Sequence, residues 1–145
     1  MVSHEEHMFV VLSPHTCRTR AAAWSVPHHV NPVPPSLDAA TGVTSKDATI
    51  DGASGLWERL YLPDLPSTLP SDHRLPIALY FHGGCLVVGS AADAPEHAFV
   101  NRLAARAGAL AMYVEYRLAP EHPVPACCYD AWAALLWEAS QLLYF

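Results

Sequence analysis

An apolar run of strand length, Leu75-Pro76-Ile77-Ala78-Leu79-Tyr80-Phe81, breaks off into His82-Gly83-Gly84-Cys85. Glycine carries no Cβ, so two of them at a strand end let backbone N–H groups face a partner directly. A negative charge building on a carbonyl oxygen needs such donors in position before it forms. Gly83 and Gly84 thus offer a backbone cradle at the strand end, flanked by His82 and Cys85. For a Gly-Gly pair on its own, a tight turn with no chemistry is the simpler reading. A second apolar run, residues 109–116, empties into Arg117-Leu118-Ala119-Pro120-Glu121-His122-Pro123-Val124-Pro125. The prolines there restrict the course of the chain, and Arg117 and Glu121 are suited to anchor it by charged hydrogen bonds.

Other chemistry-bearing residues read as structural. Glu96-His97 and Glu121-His122 lack the helical spacing of zinc ligands, so no metal site is expected. Cys127 and Cys128 are adjacent on an expected helix, where neighbouring side chains diverge and bridge only under strain. Together with Cys17 and Cys85 they form no disulfide framework, and all four are expected to be free thiols in a reducing compartment. Asp130 is expected to be a solvated or helix-capping carboxylate.

These residues need elements to hold them. Residues 44–50 and 56–62 alternate as strands do around Asp51-Gly52-Ala53-Ser54-Gly55, which predicts an antiparallel hairpin. The run Ile77–Phe81 is apolar throughout, as expected of a strand buried on both faces. Between the two apolar runs, Ala94–Ala107 predicts a helix that starts with Pro95, stops at Gly108 and presents Phe99, Leu103 and Ala107 along one stripe. Strand, helix and strand make a βαβ unit. Residues 124–143 predict a second helix, apolar nearly all round through Trp132, Leu135, Leu136 and Trp137, which needs cover on more than one side. Residues 63–74 read as a proline-punctuated loop. Residues 1–33, with scattered prolines and histidines, show no period and read as loop or disorder.

With 145 residues the chain suits one domain. Its formal net charge is −6 and it has no cluster of lysine and arginine, which excludes a nucleic-acid-binding role. No stretch approaches the roughly 20 apolar residues needed to span a bilayer. Glu5 and Glu6 stand where a secretory leader would carry basic residues, so a cytoplasmic location, with nuclear entry possible, is the expectation.

The motifs Val43-Thr44-Ser45-Lys46-Asp47, Tyr80-Phe81-His82-Gly83-Gly84 and Leu103-Ala104-Ala105-Arg106-Ala107-Gly108, with the 116–125 block, resemble the α/β-hydrolase fold. More narrowly, they are similar to the hormone-sensitive-lipase-like branch that holds plant carboxylesterases and the gibberellin receptor. The resemblance runs from about residue 34 to residue 140. It implies an α/β architecture with a mixed sheet: a truncated α/β-hydrolase fold made of an N-terminal hairpin, a βαβ unit and a following helix. Residues 34–145 would be the N-terminal half of such a domain, and residues 1–33 have no counterpart in it.

The resemblance also makes Gly83 and Gly84 the oxyanion donors for hydrolysis of small carboxylic esters, with no cofactor. Cys85 stands where most relatives have a third glycine, and its side chain is expected to avoid positive φ and to project toward the acyl pocket. The family's nucleophile elbow, Gly-x-Ser-x-Gly, is absent. Ser54 lies in a hairpin turn with the wrong spacing, and Ser90 is followed by Ala91-Ala92-Asp93. In the family the serine, acid and histidine all come later in the chain, so no catalytic residue is expected here. The implied reading is a truncated product, inactive by itself, or a gene-model fragment. The alternative is a non-catalytic protein that binds a small, gibberellin-type hormone. Loss of the family's next strand would leave Ile77–Phe81 as an open edge and promote self-association.

Overall fold

The computed structural model describes residues 8–12, 31–66 and 74–142. Alternating side chains decide its layers. The predicted hairpin forms from β3 (Val43–Asp51) and β4 (Leu56–Leu62), antiparallel, with Thr44 opposite Leu62. The Asp51 carboxylate closes the turn by accepting the Ala53 N–H at 2.9 Å and the Ser54 hydroxyl at 2.6 Å. The two apolar runs become β5 (Ile77–Phe81) and β6 (Leu110–Glu115), which pair in parallel, while β4 runs antiparallel to β6. With β1 (Met8–Leu12) and β2 (Leu37–Asp38), the sheet has the order β1-β5-β6-β4-β3-β2.

Two helices cover opposite faces of this mixed sheet. Tyr61, Ala78, Tyr80, Ala111 and Tyr113 pack with Val100 and Ala104 of α1 (Ala94–Ala107). The alternate residues Leu56, Ile77, Leu79, Met112 and Val114 pack with Cys127 and Ala134 of α2 (Ala126–Leu142). Pro95 in the first turn and Gly108 in the left-handed conformation at the end bound α1 as its sequence predicts. The stripe itself lies elsewhere. α1 buries His97, Val100, Asn101 and Ala104, whereas Phe99 is 38% exposed. Small side chains at 100 and 104 let the helix lie close to the sheet tyrosines. His97 finds a polar partner in the Tyr61 hydroxyl at 2.9 Å, and Phe99 is left to cover the Tyr80 ring from the side.

The N-terminal region departs from expectation at β1. Ile77–Phe81 is not an open edge, because β1 pairs with it in parallel from Met8 opposite Ile77 to Leu12 opposite Phe81. Nearer the helix, the Val33 N–H donates to the Ala92 carbonyl at 2.9 Å and the Ala94 N–H donates to the Asn31 carbonyl at 3.1 Å. The rest of residues 1–30, including Cys17 and the histidines at 4, 7, 15, 28 and 29, lies outside the described residues, as do residues 67–73 and 143–145. The all-round apolar character of α2 is only partly absorbed: Ala134 is buried and Leu135 packs on the core, but Trp132 and Leu136 are 60% and 53% exposed.

Charged groups buried in the sheet tune its stability. Arg59, 2% exposed, is held by Asp47 at 2.6 and 3.0 Å and by the Val33 carbonyl at 2.8 Å. Glu58 on the opposite face meets Glu138 of α2, and both are almost wholly buried. Burial first, and then the hydrogen bond and charge of Glu138, push the Glu58 carboxyl up to about 9. The native pair thus keeps a proton that the unfolded chain releases in the ordinary glutamate range. The sign follows: stability declines as pH rises from about 5 toward 9, because over that interval the native state binds more protons than the unfolded state. Urea unfolding across that range should show the decline, and Glu138→Gln should flatten it and gain about 1 kcal/mol or more at pH 8. A slope unchanged in Glu138→Gln would mean that the pair does not set it.

Candidate oxyanion site

The turn between β5 and α1, residues 82–90, lies at the C-terminal end of two parallel strands, where α/β folds place their binding crevices. Its backbone is unusual. Gly84, Cys85 and Leu86 have φ of 113°, 57° and 64°, and Gly89 follows at 117°. Positive φ is accessible to glycine but costs other residues about 1–3 kcal/mol each when the surroundings hold them there. The expectation that Cys85 avoids positive φ is therefore wrong. The turn demands the left-handed region at 85, and a residue with a Cβ is held in it by the closed hydrogen-bonded loop. The Val87 and Val88 N–H groups both donate to the Gly84 carbonyl, at 3.0 and 3.1 Å, and the Leu86 carbonyl accepts the Ala119 N–H at 2.8 Å. The last bond ties the turn to the 117–125 block.

His82 braces this arrangement. It is 5% exposed, and its ring stacks on Tyr116 with centroids 4.3 Å apart and planes at 14°. The Tyr116 hydroxyl donates to the His82 carbonyl at 2.7 Å. Nδ1 of His82 lies 2.8 Å from the Gly83 carbonyl, and since a carbonyl only accepts, the ring proton sits on Nδ1. Gly84 and Gly89 are required by space as well as by φ. A Cβ on Gly84 would lie 2.1 Å from the Val88 carbonyl oxygen, and one on Gly89 would lie 2.2 Å from Nδ1 of His82. Among the described residues, no acceptor is paired with the N–H of Gly83 or Gly84.

The polar residues nearby serve the frame. Ser90 accepts the Ala92 N–H on its hydroxyl oxygen at 3.0 Å and donates to Glu115, so it is fully engaged beneath the turn. Glu115 in turn accepts the Ala91 N–H at 2.5 Å. Burial pushes its carboxyl up, against the pull of that hydrogen bond. Asp130 is not solvated. It is 2% exposed and grips Arg117 through Nε at 2.9 Å, Nη2 at 2.7 Å and the backbone N–H at 2.8 Å. Burial alone would raise the Asp130 carboxyl, but the Arg117 hydrogen bonds and charge outweigh it and hold it below its ordinary value. Of the two anchors expected for the block, Arg117 takes that role, while Glu121 is exposed.

The cysteines divide. Cys127 and Cys128 are free, but Cys85, whose side chain is exposed, is disulfide-bonded, which corrects the expectation of four free thiols. No group of three potential metal ligands occurs among the described residues. Glu96 accepts from the Tyr80 hydroxyl at 2.8 Å, and His97 is taken by Tyr61. No described helix is long and apolar enough to cross a membrane. Sequence reasoning missed Tyr116 and Gly89, the two residues that lock His82. The isolated glycine just before Ser90 was the available signal for one, whereas nothing local marked the other.

The family model that matches this chain describes the α/β-hydrolase fold and covers residues 78–142, from β5 to the end of α2. Probable carboxylesterase 6 of Arabidopsis thaliana is 48% identical over 105 residues, 72% of this chain and 31% of the relative. The chain belongs to the α/β-hydrolase family, in its carboxylesterase-like branch. A 2-hydroxyisoflavanone dehydratase of Glycyrrhiza echinata is 43% identical over 109 residues, 74% of this chain and 32% of the dehydratase. Among solved structures, an esterase of Pyrobaculum calidifontis superposes with a TM-score of 0.54 at 41% identity, over 66% of this chain and 29% of the esterase. The chain spans about a third of the length of the curated relatives it matches.

Two substitutions test the geometry of the turn. Gly89→Ala should cost more than about 2 kcal/mol in urea unfolding, because it drives a methyl into the His82 ring at positive φ. Leu86→Gly should be neutral or stabilising by up to about 1 kcal/mol, relief of left-handed strain outweighing the entropy of the added glycine. A well-tolerated Gly89→Ala or a clearly destabilising Leu86→Gly would contradict the described backbone.

Proposed function

We propose that residues 82–89 form the oxyanion-binding turn of a carboxylic ester hydrolase, with the Gly83 and Gly84 N–H groups as donors and a small ester as ligand. The carrying observation is that both N–H groups lack an acceptor among the described residues, while their neighbours in the turn are tied down by His82, Tyr116 and Ala119. Pre-positioned donors of this kind stabilise a tetrahedral intermediate because they need no reorganisation when charge develops. Kinship with carboxylesterases supports the choice of an ester. The sequence contains no Gly-x-Ser-x-Gly, so this chain by itself supplies the oxyanion half of the chemistry and no nucleophile. The alternative is that the same crevice binds a small hormone-like molecule without turnover.

The purified chain should not hydrolyse p-nitrophenyl acetate above a denatured control. Joined to the C-terminal portion of its 48% identical relative, it should gain turnover, and Gly84→Ala should then lower kcat by about 100-fold or more. A serine of this chain labelled by a fluorophosphonate, with activity lost on its mutation, would overturn the assignment. Saturable ligand binding by the joined protein with no turnover would favour the receptor reading.

A further inference from the structure

Cys127 and Cys128 have no part in the oxyanion turn, and their placement differs from that of two unrelated buried thiols. Adjacent residues of a helix diverge at Cβ, yet here the two Sγ atoms come within 4.0 Å of each other in the first turn of α2. One thiol is buried and the other exposed. Cys127 lies in the cluster with Tyr116, Leu118 and Ala134, whereas Cys128 opens to solvent. The turn around them is closed by backbone alone, with the Cys128 and Tyr129 N–H groups donating to the Pro125 carbonyl at 2.9 and 3.1 Å.

We propose that Cys127 and Cys128 form a two-thiol chelating site for a soft, thiophilic electrophile, trivalent arsenic being the class that fits. Zinc does not fit, because a closed zinc site takes four ligands. Asp130, in the same helix, is committed to Arg117, and no group of three ligands occurs among the described residues. A pyramidal aryl-arsenic centre needs two sulfurs only, drawn slightly closer than these already are. The exposed Cys128 thiol adds first across the As=O bond of an aryl arsenoxide, its proton passing to the oxygen. The Cys127 thiol then displaces that hydroxyl, its proton leaving with it as water. Two As–S bonds form, and arsenic stays trivalent, so no oxidant or reductant is required. Burial raises the Cys127 thiol, which accords with Cys128 reacting first.

The test is intact-mass analysis of the folded chain after treatment with phenylarsine oxide and a wash with excess glutathione. One adduct attributable to this pair should survive the monothiol and be released by a dithiol such as dimercaptopropanol. The adduct count should fall by one in Cys128→Ser and in Cys127→Ser and stay unchanged in Cys85→Ser. Treatment should also raise the thermal midpoint, as expected of a ligand held by the native state. An unchanged count in Cys128→Ser, an adduct stripped by glutathione, or a lowered midpoint would overturn the proposal.

Discussion

The structure depends on one constraint: the chain must leave β5 and enter α1 through a turn whose backbone is left-handed at three consecutive positions, 84, 85 and 86, and again at 89. Only two of those four positions carry glycine at no conformational cost. Of the other two, Leu86 is held by a bond from Ala119 and Cys85 is disulfide-bonded, while Tyr116 anchors His82 at the start of the turn. Both donors lie at or just beyond the end of β6, the parallel neighbour of β5 in the sheet. The register of β5 against β6 is thus what brings the 116–119 segment up to the turn. A slip of one residue would turn every core side chain to the wrong face and separate Tyr116 from His82.

The buried polar network transmits this constraint outward. Asp130 of α2 grips Arg117 immediately after Tyr116, and Cys127 packs one turn earlier in the same helix. On the other face, Ser90 and Glu115 join the end of the turn to the end of β6. Each of these groups is satisfied by a partner, as burial requires. Four buried atoms among the described residues lack one: His82 Nε2, Asn101 Oδ1 and one oxygen each of the Glu58–Glu138 pair, which lies against α2. The pair works against the docking of α2 and becomes more costly as it loses its shared proton.

Local pattern carried the elements. The hairpin, both βαβ strands and the bounds of α1 follow from alternation, proline and glycine, which act over a few residues and need no tertiary partner. What a local pattern does not contain is the partner. The sequence marks Phe99 as the most apolar residue of its helix face, yet Val100 and Ala104 pack on the sheet because their size suits the tyrosines opposite. Asp130 resembles any helix carboxylate until Arg117, 13 positions away, is brought to it. Likewise β1 pairs with β5 across more than sixty residues, which no periodicity records. At the candidate site the two glycines were readable from their types, while the left-handed Cys85 and Leu86 were not, because closure of the loop overrides residue preference there.

Amide hydrogen exchange followed by NMR on the intact chain tests the central claim most directly, since it reads each N–H of the turn separately. The N–H groups of Val87, Val88 and Ala119 should exchange slowly, held by the Gly84 and Leu86 carbonyls, while those of Gly83 and Gly84 should exchange fast and remain available to a ligand. Slow exchange at Gly83 and Gly84, or fast exchange at Ala119, would mean that the donors are already spent or that the turn is not closed, and the oxyanion account would fail.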